Sequence, residues 1–220
     1  MPLQTASSTT LFPSRMGLGL AALGRPGYIN LGHTADLSAT YDVSTMQAHA
    51  HGVLDFAWSR GIRYFDAARS YGRAERFLQQ WLTSRAIDPA QVSVGSKWGY
   101  TYTADWQVHA ERHEVKEHSL AKLREQWRES ERYLGPYLRL YQVHSATLDS
   151  GVLTNQPVLA ALAEIRATQG VAIGLSLGGA AQAQTLEQAL AVQMDGVRLF
   201  DVVQATWNLL EPSAGAMLQT

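Results

Sequence analysis

The sequence has 220 residues, of which 46% are hydrophobic, with 18 basic residues, 19 acidic residues and no cysteine. This length and hydrophobic content predict one folded domain over residues 1–220 and exclude a disordered or fibrous chain. Without cysteine there is no disulfide, no thiolate nucleophile and no Cys-ligated zinc. The balanced charges form no basic block, which argues against nucleic acid or a membrane as partner and favours a small molecule.

The start of the chain, residues 1–14, is polar and lacks the basic and then apolar pattern of a signal peptide. No apolar run approaches the roughly 18 residues that a membrane span needs. Together with the absence of cysteine, this predicts a cytoplasmic protein.

In chain order, short apolar runs alternate with longer runs of helical period, as expected of βαβ units on a parallel sheet. Ser44 is predicted to cap the first helix, Gly61 to stop it, and Gly135-Pro136 to end the long charged third helix. The glycine-containing segment from Gly24 to Asp42 predicts a loop. The predicted strands cover residues 15–20, 62–65, 92–96, 138–143, 171–175 and 199–203, and the predicted helices cover residues 44–59, 74–84, 113–133, 157–168 and 182–192.

Polar side chains stand at the ends of these predicted strands, where the active site of a parallel α/β fold forms. A buried unpaired charge loses much of its hydration energy, so charged side chains in such positions are expected to compensate one another. They are Asp66 with Tyr71 after the second strand, Lys97 after the third, His144 after the fourth, Ser176 after the fifth and Gln204 after the sixth.

The chemistry that these side chains support is proton donation by a phenol. A tyrosine is a poor acid at neutral pH unless a cation lowers its pKa, and Lys97 is the candidate cation for Tyr71. Asp66 would pair with Lys97, and His144 would hydrogen-bond a substrate oxygen and orient its carbonyl. A hydride would then come from a bound cofactor.

Several segments resemble the aldo-keto reductase family. Residues 62–72, IRYFDAARSYG, resemble the motif that carries the family's aspartate and tyrosine. Residues 94–97 are similar to its lysine strand, residues 141–144 to its histidine strand, and residues 174–176 to its cofactor loop. Residues 200–210 are similar to the segment whose glutamine holds the nicotinamide carboxamide.

This resemblance implies an α/β fold, a (β/α)8 TIM barrel of the aldo-keto reductase type, with about six of its eight strand–helix units in this sequence and two more expected after Thr220. It implies an oxidoreductase that reduces an aldehyde or ketone with NADPH, or oxidises a sugar or alcohol with NADP+. The implied catalytic residues are Asp66, Tyr71, Lys97 and His144, and the implied cofactor-binding residues are Gly19, Leu20, Asp66, Ser176 and Gln204, with no metal. Two positions depart from the family pattern: Leu20 replaces a common threonine and Leu177 a common asparagine.

Two other functions remain open. A lysine at a barrel strand end near a tyrosine also suits a Schiff-base aldolase, with Lys97 forming an imine. A non-catalytic or truncated cofactor-binding barrel is the other alternative, because the family's last two strands are missing from this sequence.

The sequence also predicts where several other aromatic and histidine side chains lie. Trp98, Tyr100, Tyr102 and Trp106 follow Lys97 and suit either a substrate pocket wall or simple loop packing. His109, His113 and His118 fall in a charged region and are expected at the surface. Trp207 follows Gln204 and suits a position by the pocket, but it is expected in the core.

Overall fold

The computed structural model describes residues 11–27 and 41–219. The chain divides into two compact units. The first comprises the described residues up to 96 together with 101–115 and 129–139, and the second comprises 97–100, 116–128 and the residues from 140 onward. Most of the loop predicted from Gly24 to Asp42 and most of the polar start lie outside the described residues. The single domain over residues 1–220 stays a prediction.

All six predicted strands are present, with bounds that differ by a few residues from the predictions. The strands are β1 Gly17–Gly19, β2 Tyr64–Asp66, β3 Ser93–Trp98, β4 Tyr100–Tyr102, β5 Glu114–Lys116, β6 Leu138–Ala146, β7 Ala172–Leu177, β8 Gln193–Met194, β9 Val197–Arg198 and β10 Val202–Gln204. Among the described residues, the main sheet has the strand order β1-β2-β3-β6-β7-β10, and β4-β5 and β8-β9 form two-stranded sheets. The pairs β1-β2, β2-β3, β6-β7 and β7-β10 are parallel.

The helices follow the strands in alternation. They are α1 Ala21–Gly24, α2 Val43–Ser59, α3 Ala74–Ser84, α4 Leu120–Leu134, α5 Gln156–Gln169 and α6 Gln182–Ala191, with short 3-10 turns at Pro89–Gln91, Leu148–Ser150 and Met217–Gln219. Local signals set the bounds of α5, which agree with the predicted helix over 157–168. Asn155 accepts a hydrogen bond from the amide of Val158 at 3.4 Å, and Gly170 ends the helix in the left-handed conformation with a φ of 66°.

The cap of α2 differs from the prediction, because Asp42 and not Ser44 holds the helix start. The Asp42 carboxylate accepts hydrogen bonds from the Ser44 hydroxyl and from the amide of Thr45 at 2.9 Å. These hydrogen bonds, the Ser44 hydroxyl first, lower the pKa of Asp42 to about 2. A carboxylate is favoured at this end of a helix because the first backbone N–H groups point toward it.

The core of the first unit centres on Trp81 of α3, which is fully buried. Its ring meets Phe65 edge to face with ring centroids 5.3 Å apart, and its indole N–H donates to Asp55 at 2.8 Å. A buried tryptophan needs such a partner for its N–H. The same helix also buries Phe77, Leu78 and Leu82, at the spacing of one helical face.

The predicted helix over 113–133 is wrong in its first turns. Residues Glu114–Lys116 form strand β5, and α4 begins only at Leu120. The Ser119 hydroxyl accepts from the amide of Lys122 at 3.1 Å, so this serine caps the helix. The backbone carbonyl of His113 accepts from Thr103, a partner distant in sequence that helical periodicity could not reveal.

The sixth strand is also shorter at its start than predicted, since β10 begins at Val202 and not at residue 199. At this point Asp201 makes hydrogen bonds to Ile173 in place of regular strand pairing. Its amide donates to the carbonyl of Ile173 at 2.7 Å, and its side chain accepts from the amide of Ile173 at 3.1 Å. Just upstream, Asp195 and Gly196 join β8 to β9 with φ values of 52° and 75°. A two-residue hairpin turn requires such positive φ values.

Candidate active site

Asp66 and Tyr71 lie in the first unit, at the end of β2 and in the turn that follows it. Both are buried, although the sequence places them where a strand meets a loop. The Asp66 carbonyl accepts from the amide of Leu20 at 2.9 Å, and its carboxylate is 3.5 Å from the Tyr64 hydroxyl, which donates to it. Burial, and then the Asp66 charge, raise the pKa of Tyr64 well above its usual range. Tyr64 is therefore a neutral hydrogen-bond donor to the carboxylate.

The turn that carries Tyr71 packs tightly against α1. The Tyr71 amide donates to Ala68 at 3.1 Å, and its carbonyl accepts from Ala74 at 3.0 Å, so one turn joins β2 to α3. A side chain on Gly24 would collide with the Tyr71 carbonyl and with Ala74. Only glycine allows this close approach of two backbones.

Gly19 and Leu20, the predicted cofactor contacts, stand at the end of β1. Gly19 is exposed and pairs in register with Asp66. Leu20 is fully buried and contributes its side chain to the core. Their roles in cofactor binding stay predictions.

A buried acid, Glu75, supports this end of the first unit, and sequence reasoning missed it. Glu75 is 2% exposed, and one of its oxygens accepts from the hydroxyls of Ser96 and Ser130, each at 2.6 Å. Its other oxygen forms an ion pair with Arg69, which also pairs with Glu129 at 2.6 Å. Arg69 belongs to the segment between Asp66 and Tyr71, and Ser96 immediately precedes Lys97. Within the first unit, Glu75 thus links the segment between Asp66 and Tyr71 to Ser96 of β3.

Lys97 lies in the second unit, near the end of β3, and is 1% exposed. The backbone just after it is held by Gln126 of α4. The Gln126 amide oxygen accepts from the amide of Gly99 at 2.8 Å, and its nitrogen donates to the carbonyl of Tyr100 at 2.9 Å. This buried glutamine fixes the exit from β3, and no sequence pattern singled it out.

His144 lies in β6 where the strand bulges. Val143 pairs with Leu175 and Ala146 with Leu177, so β6 has one residue more than β7 at this point. Ser145 takes a φ of 49° there, and its amide donates to the hydroxyl of Ser176 at 2.8 Å. Bulges of this kind redirect a side chain at functional sites. The structure therefore places His144 and Ser176 at the same bulge, where β6 pairs with β7.

Gln204 is the register partner of Ser176 on β10 and is exposed. The segment after β10 contains Trp207, which was expected in the core. That expectation is wrong, because Trp207 is 66% exposed, and Leu209 and Leu210 are 100% and 96% exposed. Gln182 of α6 instead supports this segment by hydrogen bonds to the backbone of Thr206.

His118 was expected at the surface, and the structure leaves it only partly exposed. Its Nε2 lies 3.0 Å from the carbonyl of His144, and its ring meets Trp98 and Tyr100 edge to face at centroid distances of 5.4 and 6.5 Å. Burial, and then the nearby Lys116, lower the pKa of His118 to about 4. His118 is therefore neutral at physiological pH and donates its Nε2 proton to that carbonyl.

The aromatic residues after Lys97 differ in their surroundings, and a substrate pocket wall stays a prediction for them. Tyr100 lies beside His144, with ring centroids 4.9 Å apart. Trp98 is fully buried, and the Tyr102 hydroxyl accepts from the amide of Trp106 at 3.1 Å, which is packing within the loop. Tyr100 thus contacts the side chain of His144, a predicted catalytic residue.

Two other features are absent from the part of the chain that the structure describes. No group of three His, Asp or Glu side chains lies close enough together to hold a metal ion. No helix there has the length and apolar character to cross a membrane.

The sequence profile of the aldo/keto reductase family matches residues 15–219. Among solved structures, a protein of Pseudomonas aeruginosa classed as an aldo-keto reductase is 24% identical, with a TM-score of 0.64 over 92% of this chain and 67% of that one. A thermostable aldo-keto reductase solved with the inhibitor epalrestat is 17% identical, with a TM-score of 0.59 over 92% and 62% of the two chains. A protein classed as a 2,5-diketo-D-gluconic acid reductase B is 18% identical, with a TM-score of 0.53 over 93% and 58%.

At these identities the solved structures inform on the fold alone, and this chain spans 58% to 67% of their lengths. No curated protein is similar enough in sequence to count as a relative. The predicted fold class, α/β of the aldo-keto reductase type with six strands of the parallel sheet, is confirmed by the strand order and the family match. Because the profile matches nearly the whole chain, the protein belongs to the aldo/keto reductase family.

Proposed function

We propose that this protein is an NADPH-dependent oxidoreductase that reduces an aldehyde or ketone, with Tyr71 as the general acid. Membership of the family supports carbonyl oxidoreduction as the class of reaction. One observation carries the finer proposal: Asp66, Lys97 and His144 each lie at or near the carboxyl end of a different strand of the main sheet, and Tyr71 lies in the turn after β2. In a parallel α/β sheet these ends carry the catalytic groups.

The proposed roles follow from ordinary acid–base chemistry. Tyr71 would protonate the carbonyl oxygen as negative charge develops there, because a positioned acid accelerates proton transfer. The ammonium of Lys97 would lower the pKa of that phenol, and Asp66 would keep Lys97 charged. His144 would donate a hydrogen bond to the same oxygen and orient the carbonyl. Each role is a proposal based on the family resemblance.

The residues of the second unit fit a nicotinamide cofactor. Ser176 and Gln204 are register partners on neighbouring strands, and their hydroxyl and amide groups match the donors and acceptors of a carboxamide. Gln204 is exposed, so its amide is open to a ligand. Bound NADPH would supply the hydride that reduces the carbonyl carbon. NADPH in place of NADH rests on the resemblance.

The test is NADPH oxidation by the 220-residue chain with a generic aromatic aldehyde. The Tyr71→Phe variant keeps the ring and removes the acid, and we expect its kcat to fall by roughly 10² to 10⁴. The control is Tyr133→Phe, which removes a hydroxyl from a tyrosine of α4 that has no proposed role. Equal activity of Tyr71→Phe and Tyr133→Phe would reject Tyr71 as the acid.

A Schiff-base aldolase is the second candidate, and the burial of Lys97 favours it. Lys97 is 1% exposed, and a site that excludes water protects an imine between the lysine and a carbonyl from hydrolysis. Borohydride in the presence of an aldehyde would then label Lys97 covalently, and mass spectrometry would locate the label. Turnover of NADPH without such labelling would reject the aldolase.

A non-catalytic, cofactor-binding role is the third candidate. Quenching of protein fluorescence by NADPH without turnover of any aldehyde would support this role. Turnover abolished by Tyr71→Phe would reject it.

A further inference from the structure

The side chain of Lys116 lies beside the residue that follows His144. Its Nζ donates to the carbonyl of Ser145 at 2.7 Å and approaches the hydroxyl of Thr147 at 3.4 Å. Lys116 is the last residue of β5, the strand that interrupts the predicted helix. The tertiary structure thus brings to this end of β6 a cation that is 28 residues from His144 in the sequence.

The Tyr100 ring lies close to both the Lys116 ammonium and the His144 ring. The Lys116 Nζ lies 5.7 Å from the centroid of the Tyr100 ring, and the His144 ring lies 4.9 Å from the same centroid. A cation at this distance is attracted to the ring. His144 and Lys116 therefore both contact Tyr100, and both are accessible at least in part.

The ammonium of Lys116 retains capacity to bind a ligand. An ammonium has three N–H donors, and the two hydrogen bonds to described residues engage two of them. Partial burial lowers the pKa of Lys116, while Asp149 acts in the opposite direction.

We propose that Lys116 and Tyr100 form a subsite beside His144 for an anionic group on the substrate, so that carbonyl compounds bearing a carboxylate are the preferred substrates. This inference rests on the proposed reductase function, because it assigns His144 to the carbonyl. One ammonium with Asp149 nearby suits a singly charged carboxylate better than a phosphate group, whose charge at neutral pH is about −1.5 to −2. The Tyr100 ring would contact the apolar part of the substrate between its two polar ends.

The experiment compares two aldehydes of similar shape that differ in charge, para-carboxybenzaldehyde and its neutral methyl ester, methyl para-formylbenzoate. Lys116→Gln removes the charge and keeps a hydrogen-bond donor for Ser145. We expect it to lower kcat/KM for the acid roughly tenfold, or by about 1.4 kcal/mol, and to leave the ester almost unchanged. Lys116→Arg should keep most of the preference for the acid.

The control is Lys122→Gln, which removes the same charge from α4, where Lys122 pairs with Glu125 at 2.7 Å. It should leave the ratio of the two substrates unchanged. An equal loss for both substrates in Lys116→Gln would mean that Lys116 only holds the loop after β6, and would overturn the subsite. An unchanged ratio would overturn it as well.

A chain that reduces neither aldehyde would reject the proposed function, and calorimetric binding of para-carboxybenzaldehyde would then test the subsite alone. Binding that Lys116→Gln abolishes would support the subsite without the reductase. Absence of binding, or binding that is equal in the two proteins, would overturn it.

Discussion

Glu75 in the first unit and His118 in the second are both titratable side chains largely withdrawn from water, and the protein accommodates them in opposite ways. Glu75 receives an arginine and two hydroxyl donors. His118 lies among aromatic rings, and its pKa falls to about 4. The Glu75 carboxyl group thus has ion-pair and hydrogen-bond partners, whereas the His118 imidazole stays neutral.

The difference shows how burial is managed next to a candidate active site. A charge withdrawn from water costs several kcal/mol unless partners replace the lost hydration, whereas a neutral imidazole needs only hydrogen bonds. The first solution makes the region around Glu75 sensitive to any substitution that removes a partner. The second makes the region around His118 sensitive to pH.

Glu75→Ala should give the largest loss of stability. It leaves the Arg69 guanidinium and the Ser96 and Ser130 hydroxyls without a buried partner, and breaking such a site costs about 3 to 5 kcal/mol. Urea unfolding would measure this loss of stability. The control is Glu131→Ala, at an exposed glutamate of α4, and its unfolding free energy should lie within about 0.5 kcal/mol of the parent value. Equal midpoints for the two variants would contradict the importance of this network.

Gly95→Ala should destabilise the first unit less, by about 1 to 3 kcal/mol, because the new methyl group would collide with the hydroxyl of Tyr64. Tyr64→Phe removes that hydroxyl. The double variant Gly95→Ala with Tyr64→Phe should therefore lose less stability than the two single losses added together. A double-mutant cycle of urea unfolding measures this coupling, and additive losses would show that the collision is relieved elsewhere.

His118 should make stability fall with acid. The folded-state pKa, about 4, lies below the ordinary value of 6.5, so the unfolded chain binds the proton first as the pH falls. The contribution is fully present above pH 6.5 and is lost as the pH falls from 6.5 toward 4; at pH 5 the loss amounts to about 2 kcal/mol.

The measurement is the difference in unfolding free energy between pH 7.5 and pH 5, for the parent chain and for His118→Gln. Glutamine carries a nitrogen that can donate to the His144 carbonyl in the same way and does not titrate. Its loss between the two pH values should be smaller than that of the parent by about 2 kcal/mol. Equal losses in the two proteins would show that His118 is not the responsible group.

The smallest effect is expected at Leu210, which is almost fully exposed. Leu210→Ser should change stability by no more than about 0.5 kcal/mol, as for other surface substitutions. Leu140→Ala on β6, at a fully buried leucine, should cost about 2 to 5 kcal/mol in the same unit and serves as the reference. A loss at Leu210 comparable to that at Leu140 would mean that Leu210 is covered in solution.

Much of the fold could be predicted because its signals are local. The strand around Phe65, the helix over 74–84 and the helix between Asn155 and Gly170 follow from periodicity and from the residues at their ends. Site residues such as Asp66 and Lys97 could be placed at or near strand ends for the same reason. Their roles and a cytoplasmic location stay predictions, because neither strand order nor the family match tests them.

Only the tertiary structure decided the features that depend on partners distant in the chain. Glu75 has the same sequence context as any acid in the first turn of a helix, and its burial comes from Ser96, Ser130 and Arg69 converging on it. His118 appears as a surface residue until its neighbours beside His144 are known. The sequence by itself determined the succession of strands and helices, because periodicity and caps act over a few residues; pairing, burial and pKa depend on contacts that only the folded chain creates.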